Sequence, residues 1–249
     1  MRRLADAGLP VPAPIGAPRM ADGALHILMP FLGGRPLGAG LVSDARYRQL
    51  GRELARFHAA IADLPPPAQR PGYCETVDGA LPLAGGRARR AELLAALARA
   101  DAALAGRFAR AAEALDARDL PAVFAGAPRL GVHADFSPWN VRFTGGRLTG
   151  ILDFELAHRD VRAADVAASR RGWHDAVVDG YREVTPLTDA ELAALDALWL
   201  GGVLAGVWRV LEDRLVEGSE LTYGLDWHAA QLDKTRPYRP AAWGAMGSG

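Results

Sequence analysis

Cysteine is nearly absent from this sequence: Cys74 is the only one among 249 residues. No intrachain disulfide can form, so a disulfide-stapled scaffold is excluded. A lone thiol suits a reducing compartment, and the expected location is the cytoplasm. Lysine is equally scarce. Of the 29 basic residues only Lys234 is a lysine, and the rest are arginines. Chemistry that needs a lysine must use Lys234 or do without one. Net charge is absent too, with 29 acidic residues against 29 basic ones. A general nucleic-acid binder needs a basic face, so no nucleic-acid partner is expected. The N-terminus carries Arg2 and Arg3 without an apolar run behind them, which is not a secretory signal. The longest apolar stretch, 192–211, contains Asp196, Arg209 and Gly201-Gly202. Thr188 and Glu191 before it spell a capping box, so the stretch predicts a buried helix and no membrane span.

What is present is apolar surface. Half of the residues are hydrophobic, which excludes a disordered chain. Residues 8–18 are rich in Pro and Gly and read as loop or extended chain. The apolar run 24–32 predicts a strand, closed by Gly33-Gly34. Over 44–63, Leu50, Leu54, Phe57 and Ile61 share one helical face, and Pro65-Pro66-Pro67 stops the helix. Residues 68–87 look irregular. A helical pattern spans 88–119, with Leu93, Leu94, Leu97, Leu104, Phe108 and Leu115 as its stripe, and Pro121 breaks it. The block 130–154 is the only clear β region after residue 32. Helices are expected near 163–183 and 189–217, then a polar tail. The fold class is α+β.

Residues 140–153 predict a β-hairpin turning at Gly145-Gly146. A two-residue turn there opposes Phe143 to Leu148, Val141 to Gly150 and Asn140 to Ile151. Val141, Phe143, Leu148 and Leu152 then share an apolar face, and Asn140, Arg142, Thr149, Ile151 and Asp153 share the other. Asn140 and Asp153 become diagonal neighbours, roughly 7–8 Å apart at the backbone. An amide oxygen and a carboxylate so placed suit one hard cation with few protein ligands, and Mg²⁺ is the natural choice. Upstream, His133-Ala-Asp135-Phe-Ser-Pro-Trp-Asn140 spells His-x-Asp-x-x-x-x-Asn, the spacing of the protein-kinase catalytic loop. Asp153-Phe154 matches the metal-binding Asp-Phe that follows it. One carboxylate, Asp135, must meet the acceptor hydroxyl while Asn140 and Asp153 hold Mg²⁺ on the nucleotide phosphates. Taken singly, each element is ordinary: a lone His-x-Asp is usually a loop hydrogen bond, and an Asp ending a strand is usually a cap. The combination around one hairpin carries the reading.

These motifs make the chain resemble the aminoglycoside phosphotransferase and choline kinase-like family, which shares the protein-kinase fold. The loop 133–140 is similar to the family's His-Gly-Asp-x-x-x-x-Asn. Ile151-Leu-Asp153-Phe-Glu155 is similar to its Ile-x-Asp-Phe/Trp-Glu strand, and Asp165-Val-Ala to the Asp-Leu-Ala of its next helix. Leu9-Pro-Val-Pro12, Met29-Pro-Phe-Leu-Gly-Gly34 and Gly51-Arg-Glu-Leu-Ala-Arg-Phe-His58 fit as strand entry, hinge and first large-lobe helix. The resemblance implies a kinase-like α+β fold, represented mainly by its helical large lobe. Residues 1–32 would be a remnant of the nucleotide-binding small lobe and hinge, and 33–249 the large lobe. The implied reaction moves the γ-phosphoryl of ATP or GTP to a hydroxyl of a small molecule. Aminoglycosides, choline, homoserine and sugars are all acceptors within the family. Asp135 would take or orient the hydroxyl proton, His133 would support the loop, and Asn140 and Asp153 would hold Mg²⁺. The hinge residues Met29, Pro30 and Leu32 would meet the purine through their backbone, with Pro30 offering only its carbonyl.

Departures from the family pattern are specific. Ala134 stands where the family usually has Gly. No Gly-x-Gly-x-x-Gly occurs, since Gly38-Ala-Gly40 lacks the third glycine; no lysine precedes Lys234, and no glutamate precedes Glu53. The half that cradles phosphates is therefore expected to be missing, through a misplaced gene start, a trimmed sequence or natural loss. Weak activity of this short chain is the corresponding expectation. The rival reading is a catalytically inactive protein that binds a partner or metabolite in the same cleft. A metal-dependent hydrolase has too few carboxylates for a two-metal site. His58 is expected to be packed, Asp165 to cap a helix or order the loop, and Glu155 to contact substrate or neutralise an arginine. Trp199, Trp208, Trp227 and Trp243 are expected in the core ahead of a substrate cleft.

Overall fold

In the computed structural model of the chain, residues 1–38, 42–70, 72–78, 81 and 85–240 are described. The chain opens with a short helix α1 (Arg2–Asp6) and a hairpin of β1 (Arg19–Ala21) and β2 (Ala24–His26). The expected strand over 24–32 is thus confined to its first three residues. Asp22-Gly23 is the cause. Both take positive φ, 51° and 74°, as a two-residue hairpin turn of the mirror-image type requires. The turn folds β2 back on β1, and 27–32 continues as extended chain. Strand β3 (Arg35–Pro36) follows, then α2 (Asp44–Ile61). Leu50, Leu54 and Phe57 on α2 are at most 1% exposed, as its periodicity predicts.

Residues 73–75 lead into a 3₁₀ turn, Thr76–Asp78. The single helix expected over 88–119 is two, α3 (Gly86–Ala100) and α4 (Ala102–Asp116). Asp101 divides them, turning extended at φ −148° and accepting the Leu104 N–H at 2.9 Å on its carboxylate. An Asp that can cap overrides a continuous apolar stripe. Pro121 sits in the first turn of α5 (Leu120–Val123), where its missing N–H costs nothing. Strands β4 (Arg129–Val132), β5 (Val141–Thr144), β6 (Arg147–Ile151) and β7 (His158–Val161) come next. The expectation of no β structure past 154 fails at β7, which pairs antiparallel with β4. Its residues, His-Arg-Asp-Val, carry no apolar alternation. The helical region after 162 is likewise broken at Arg171-Gly172 into α6 (Arg162–Arg170) and α7 (Asp175–Arg182). Helices α8 (Asp189–Glu217) and α9 (Asp226–Lys234) complete the described chain, α9 lying in the expected polar tail.

Helix α8 starts at the anticipated capping box. Thr188 Oγ1 accepts the Glu191 N–H at 3.2 Å, and Glu191 accepts the Thr188 N–H at 2.8 Å. By length and composition α8 could cross a membrane. Here it is the central core helix, burying Leu195, Leu198, Leu204, Val207, Trp208 and Leu211 against α3, α4, α6 and α9. Helices α2 and α7 touch backbone to backbone. A Cβ on Gly51 would stand 1.9 Å from the Val177 carbonyl, and one on Gly180 1.9 Å from the Arg48 carbonyl. Only glycine permits that approach, and it brings His58 of α2 against Tyr181 of α7.

Strands β3, β5 and β6 form one sheet in the order β3-β5-β6. The β5–β6 hairpin turns at Gly145-Gly146 and pairs Phe143 with Leu148, as predicted. Beyond that pair the register slips, and Arg142 faces Gly150 while Val141 faces Ile151. Thr149 is the extra residue of a β-bulge, which corrects the expected pairing of Val141 with Gly150 and Asn140 with Ile151. The bulge also turns Ile151 from the expected polar face into the core, where it is 0% exposed. Thr149 instead donates to the Gly33 carbonyl at 3.1 Å, tying the hairpin to the extended segment.

Candidate active site

The loop 133–140 joins β4 to β5 and is shaped by local bonds. Ser137-Pro-Trp-Asn140 is a β-turn with proline at its second position, closed by the Asn140 N–H on the Ser137 carbonyl at 3.0 Å. The front of the loop wraps around one buried carboxylate. Asp165, in the first turn of α6, is 0% exposed. It accepts the His133 N–H at 2.9 Å, the Ala134 N–H at 2.8 Å and His58 Nε2 at 3.1 Å. His58 Nδ1 in turn meets the Tyr181 hydroxyl at 2.9 Å. Burial alone would push the Asp165 carboxyl upward. The His58 and His133 donors outweigh burial and hold it below the ordinary carboxylate value. Of the two roles expected for Asp165, ordering the loop is the one that its bonds serve, and His58 is packed as expected.

Asp135 projects from this loop with both carboxylate oxygens engaged. Oδ2 accepts from Asn140 Nδ2 at 2.7 Å, and Oδ1 from Arg171 Nη2 at 3.0 Å. Asn140 Nδ2 also reaches the Asp135 carbonyl at 3.1 Å, so its amide nitrogen is committed and its Oδ1 has no partner among the described residues. His133 is buried beside them. Its Nδ1 accepts the Asp135 N–H at 3.3 Å and its Nε2 donates to the Leu152 carbonyl at 2.8 Å. One imidazole thereby spans from Asp135 to the residue before Asp153. Leu152 N–H bonds the Asn140 carbonyl at 2.8 Å, so Asp153 stands one residue past Asn140's cross-strand partner instead of on its diagonal. Asp153 leaves the strand at φ 60°. Its exposed carboxylate has no hydrogen-bond or ion-pair partner among the described residues.

An unpartnered carboxylate and a fixed amide oxygen are hard oxygen donors, the set that Mg²⁺ accepts when phosphates and water supply the rest. Asn140 and Asp153 therefore fit the metal. Among the described residues no cluster of three or more His, Cys, Asp or Glu could hold one instead. Met29, Pro30 and Leu32 lie in the extended segment after β2. Met29 is 51% exposed, and no hydrogen bond among the described residues engages the backbone of 29–32. Leu32 packs on the β6 backbone at Gly150. Glu155 contributes its carbonyl, which takes hydrogen bonds from Arg70 and from the Tyr73 hydroxyl, and among the described residues no arginine pairs with its side chain.

A cavity of about 490 Å³ opens beside Asp135, between the loop and α8. Its wall includes Ala134, Asp135, Arg171, His158, Tyr73 and Arg209. Trp199 and Trp208 are core residues as expected, 9% and 1% exposed, yet their rings also form this wall with the half-exposed Trp227. Trp243 lies outside the described residues. His158 bonds the Leu156 carbonyl at 2.7 Å through Nδ1 and Asp160 Oδ2 at 3.2 Å through Nε2. Both partners are acceptors, an arrangement that favours the doubly protonated ring. Burial opposes that charge, but Asp160 and Leu156 outweigh it and hold His158 above its ordinary value. Arg171, Tyr73 and His158 are site residues that the sequence reading did not single out. The one signal for Arg171 was Gly172 behind it, a helix-ending glycine.

Residues 1–191 match the phosphotransferase enzyme family (APH). A homoserine kinase of Rhizobium johnstonii is 31% identical over 247 residues, which covers 89% of this chain and 70% of that protein. One from Rhodospirillum rubrum is 32% identical over 231 residues, covering 82% of this chain and 64% of that protein. The chain thus spans about two thirds of the length of these relatives. Among solved structures, a thermostable mutant of aminoglycoside phosphotransferase APH(4)-Ia, in ternary complex with AMP-PNP and hygromycin B, superposes with a TM-score of 0.63. It is 19% identical, over 93% of this chain and 78% of that one. Amicoumacin kinase hAmiN, in complex with AMP-PNP, Ca²⁺ and Ami, gives 0.62 at 14% identity over 96% and 76%. A choline/ethanolamine kinase family protein from Mesorhizobium loti gives 0.58 at 17% over 93% and 74%. These likenesses carry the fold, and the matches over most of the sequence carry the kinship: the chain belongs to the phosphotransferase enzyme family and has its protein-kinase-like α+β fold.

Proposed function

We propose that this chain carries the acceptor and metal side of a small-molecule kinase, which transfers the γ-phosphoryl of ATP or GTP to an alcohol hydroxyl. The observation that supports it most is Asp135, held by Asn140 at 2.7 Å and set in the wall of the cavity of about 490 Å³. In this reading an acceptor in the cavity presents its hydroxyl to Asp135, which orients it and takes its proton as the new P–O bond forms and the bond from the γ-phosphorus to the bridging oxygen breaks, releasing ADP or GDP. Asn140 does two tasks, fixing Asp135 with its nitrogen and offering its oxygen to the metal. Asp153 supplies the second metal oxygen. Bound Mg²⁺ would neutralise charge on the nucleotide phosphates. His133 keeps Asp135 and the Asp153 strand end in fixed relation. Met29, Pro30 and Leu32 present free backbone groups to the purine. Residues 1–32 act as hinge and small-lobe remnant, and the rest as the large lobe.

No lysine in these residues is placed to align the phosphates, so the chain by itself transfers slowly; misplacing a reacting group by about 1 Å costs on the order of a hundredfold. The homoserine kinase names of its relatives make a small hydroxy amino acid the first acceptor to try. The test is transfer of γ-labelled ATP and GTP, with Mg²⁺, to homoserine, choline and aminoglycosides. Formation of a phosphomonoester supports the reading. Nucleotide binding with no labelled product on any of these acceptors favours the inactive binding protein.

A further inference from the structure

We infer that Arg171 determines acceptor specificity, by exchanging its ion pair with Asp135 for the carboxylate of a hydroxy acid acceptor. The inference rests on the phosphotransfer reading above and concerns the same cavity. Arg171 Nη2 lies 3.0 Å from Asp135 Oδ1, and both side chains are 29% exposed. Among the described residues its guanidinium has no other hydrogen bond or ion pair. It follows α6 at φ 52°, ψ 35°, a left-handed conformation that arginine adopts only at a cost. A single ion pair this open to water contributes little stability. This one also occupies an oxygen that an incoming hydroxyl needs. Such a contact makes chemical sense as an exchangeable one. A carboxylate arriving with the acceptor takes the guanidinium in a two-pronged bond, and Asp135 Oδ1 passes to the acceptor hydroxyl.

The charges on the cavity wall agree. Arg209 lies over the Tyr73 ring at 4.8 Å, exposed and without a carboxylate partner among the described residues. His158 is paired with the buried Asp160 at 3.2 Å and adds no net charge to the wall. Of the acids, Glu212 is engaged by Arg89 at 3.4 Å and Asp135 by Arg171. A small acceptor bearing a carboxylate fits this wall, and a polycationic amino sugar, which offers Arg171 no carboxylate, does not.

The experiment is calorimetric binding of L-homoserine, of 3-amino-1-propanol, which has the same amine and hydroxyl without the carboxylate, and of hygromycin B. The parent chain is compared with Arg171→Asn and Arg171→Lys. Asparagine tolerates the left-handed conformation, so Arg171→Asn keeps the parent melting temperature. The parent is expected to bind homoserine at least about tenfold tighter than the other two. Arg171→Asn brings homoserine and 3-amino-1-propanol within about threefold, and Arg171→Lys falls between. The inference is overturned if the parent prefers an uncharged-end or polycationic probe, if the preference survives Arg171→Asn, or if no probe binds. Failure of the phosphotransfer reading is seen separately, as no labelled phosphomonoester from γ-labelled nucleotide on any of these acceptors.

Discussion

The Ala134 N–H reaches Asp165 Oδ1 at 2.8 Å because Ala134 stands in the left-handed region at φ 65°. That turn lets two consecutive N–H groups, of His133 and Ala134, converge on one buried carboxylate. Glycine takes this conformation freely, and an L side chain pays for it. The family's usual glycine at this position therefore has a physical reason, and alanine here retains the bond under strain.

Ala134→Gly should stabilise the protein by about 0.5–1 kcal/mol. Relief of the left-handed backbone is worth roughly 1–2 kcal/mol, and the greater freedom of glycine in the unfolded chain takes back part of it. Urea denaturation reads this as a higher midpoint with an unchanged slope. A lower midpoint would mean that the methyl group makes contacts worth more than the strain.

Stability should fall as pH drops from 6.5 toward 4, and His174 should be a principal cause. Its ring stacks on Tyr47 with centroids 3.8 Å apart. Burial, then the positive charge of Arg171, lowers it from 6.5 to about 4. The unfolded chain binds the proton first, so the contribution is complete above 6.5 and lost on the way down. The full shift corresponds to about 3 kcal/mol, and partial exposure reduces it to roughly 1–2 kcal/mol. His228, lowered by burial, adds to the same slope. His158, held above its ordinary value despite burial, has the opposite sign and loses its contribution as pH rises. The difference between parent and His174→Gln across pH 7 to 4.5 isolates the His174 part. Parallel stability curves for the two would contradict it.

Much of this was readable because single residues act locally. The stripe on α2, the capping box of α8, the Gly145-Gly146 turn and the proline turn of loop 133–140 are short-range effects. The bulge at Thr149 was not readable, because Thr149 is drawn out of register toward the Gly33 carbonyl, a partner remote in sequence. Strand β7 was hidden for a related reason: polar residues pair there because Asp160 is needed inside, where it accepts from the Thr76 and Val161 N–H groups at 2.6 and 2.7 Å. The motif spacing brought out Asp135, Asn140 and Asp153. Arg171 belongs to no motif, and only folding of α6 toward the loop sets it against Asp135.

Mg²⁺ with nucleotide should raise the melting temperature by mass action, and Asp153→Asn should abolish the Mg²⁺-dependent part. The exposed Asp153 carboxylate has no partner among the described residues to lose, so the variant's own melting temperature should stay close to the parent's. A shift that survives Asp153→Asn unaltered would remove Asp153 from the metal site.

Asp135→Asn tests the central claim most directly. The change keeps the shape of the side chain and removes the proton acceptor. With γ-labelled nucleotide, Mg²⁺ and homoserine, the parent chain should form a labelled phosphomonoester. Asp135→Asn should lower that rate by about 10²–10⁴-fold while its Mg²⁺-dependent nucleotide binding stays within about twofold. Equal rates in parent and variant would contradict the account, as would a parent that binds nucleotide and labels no hydroxyl acceptor.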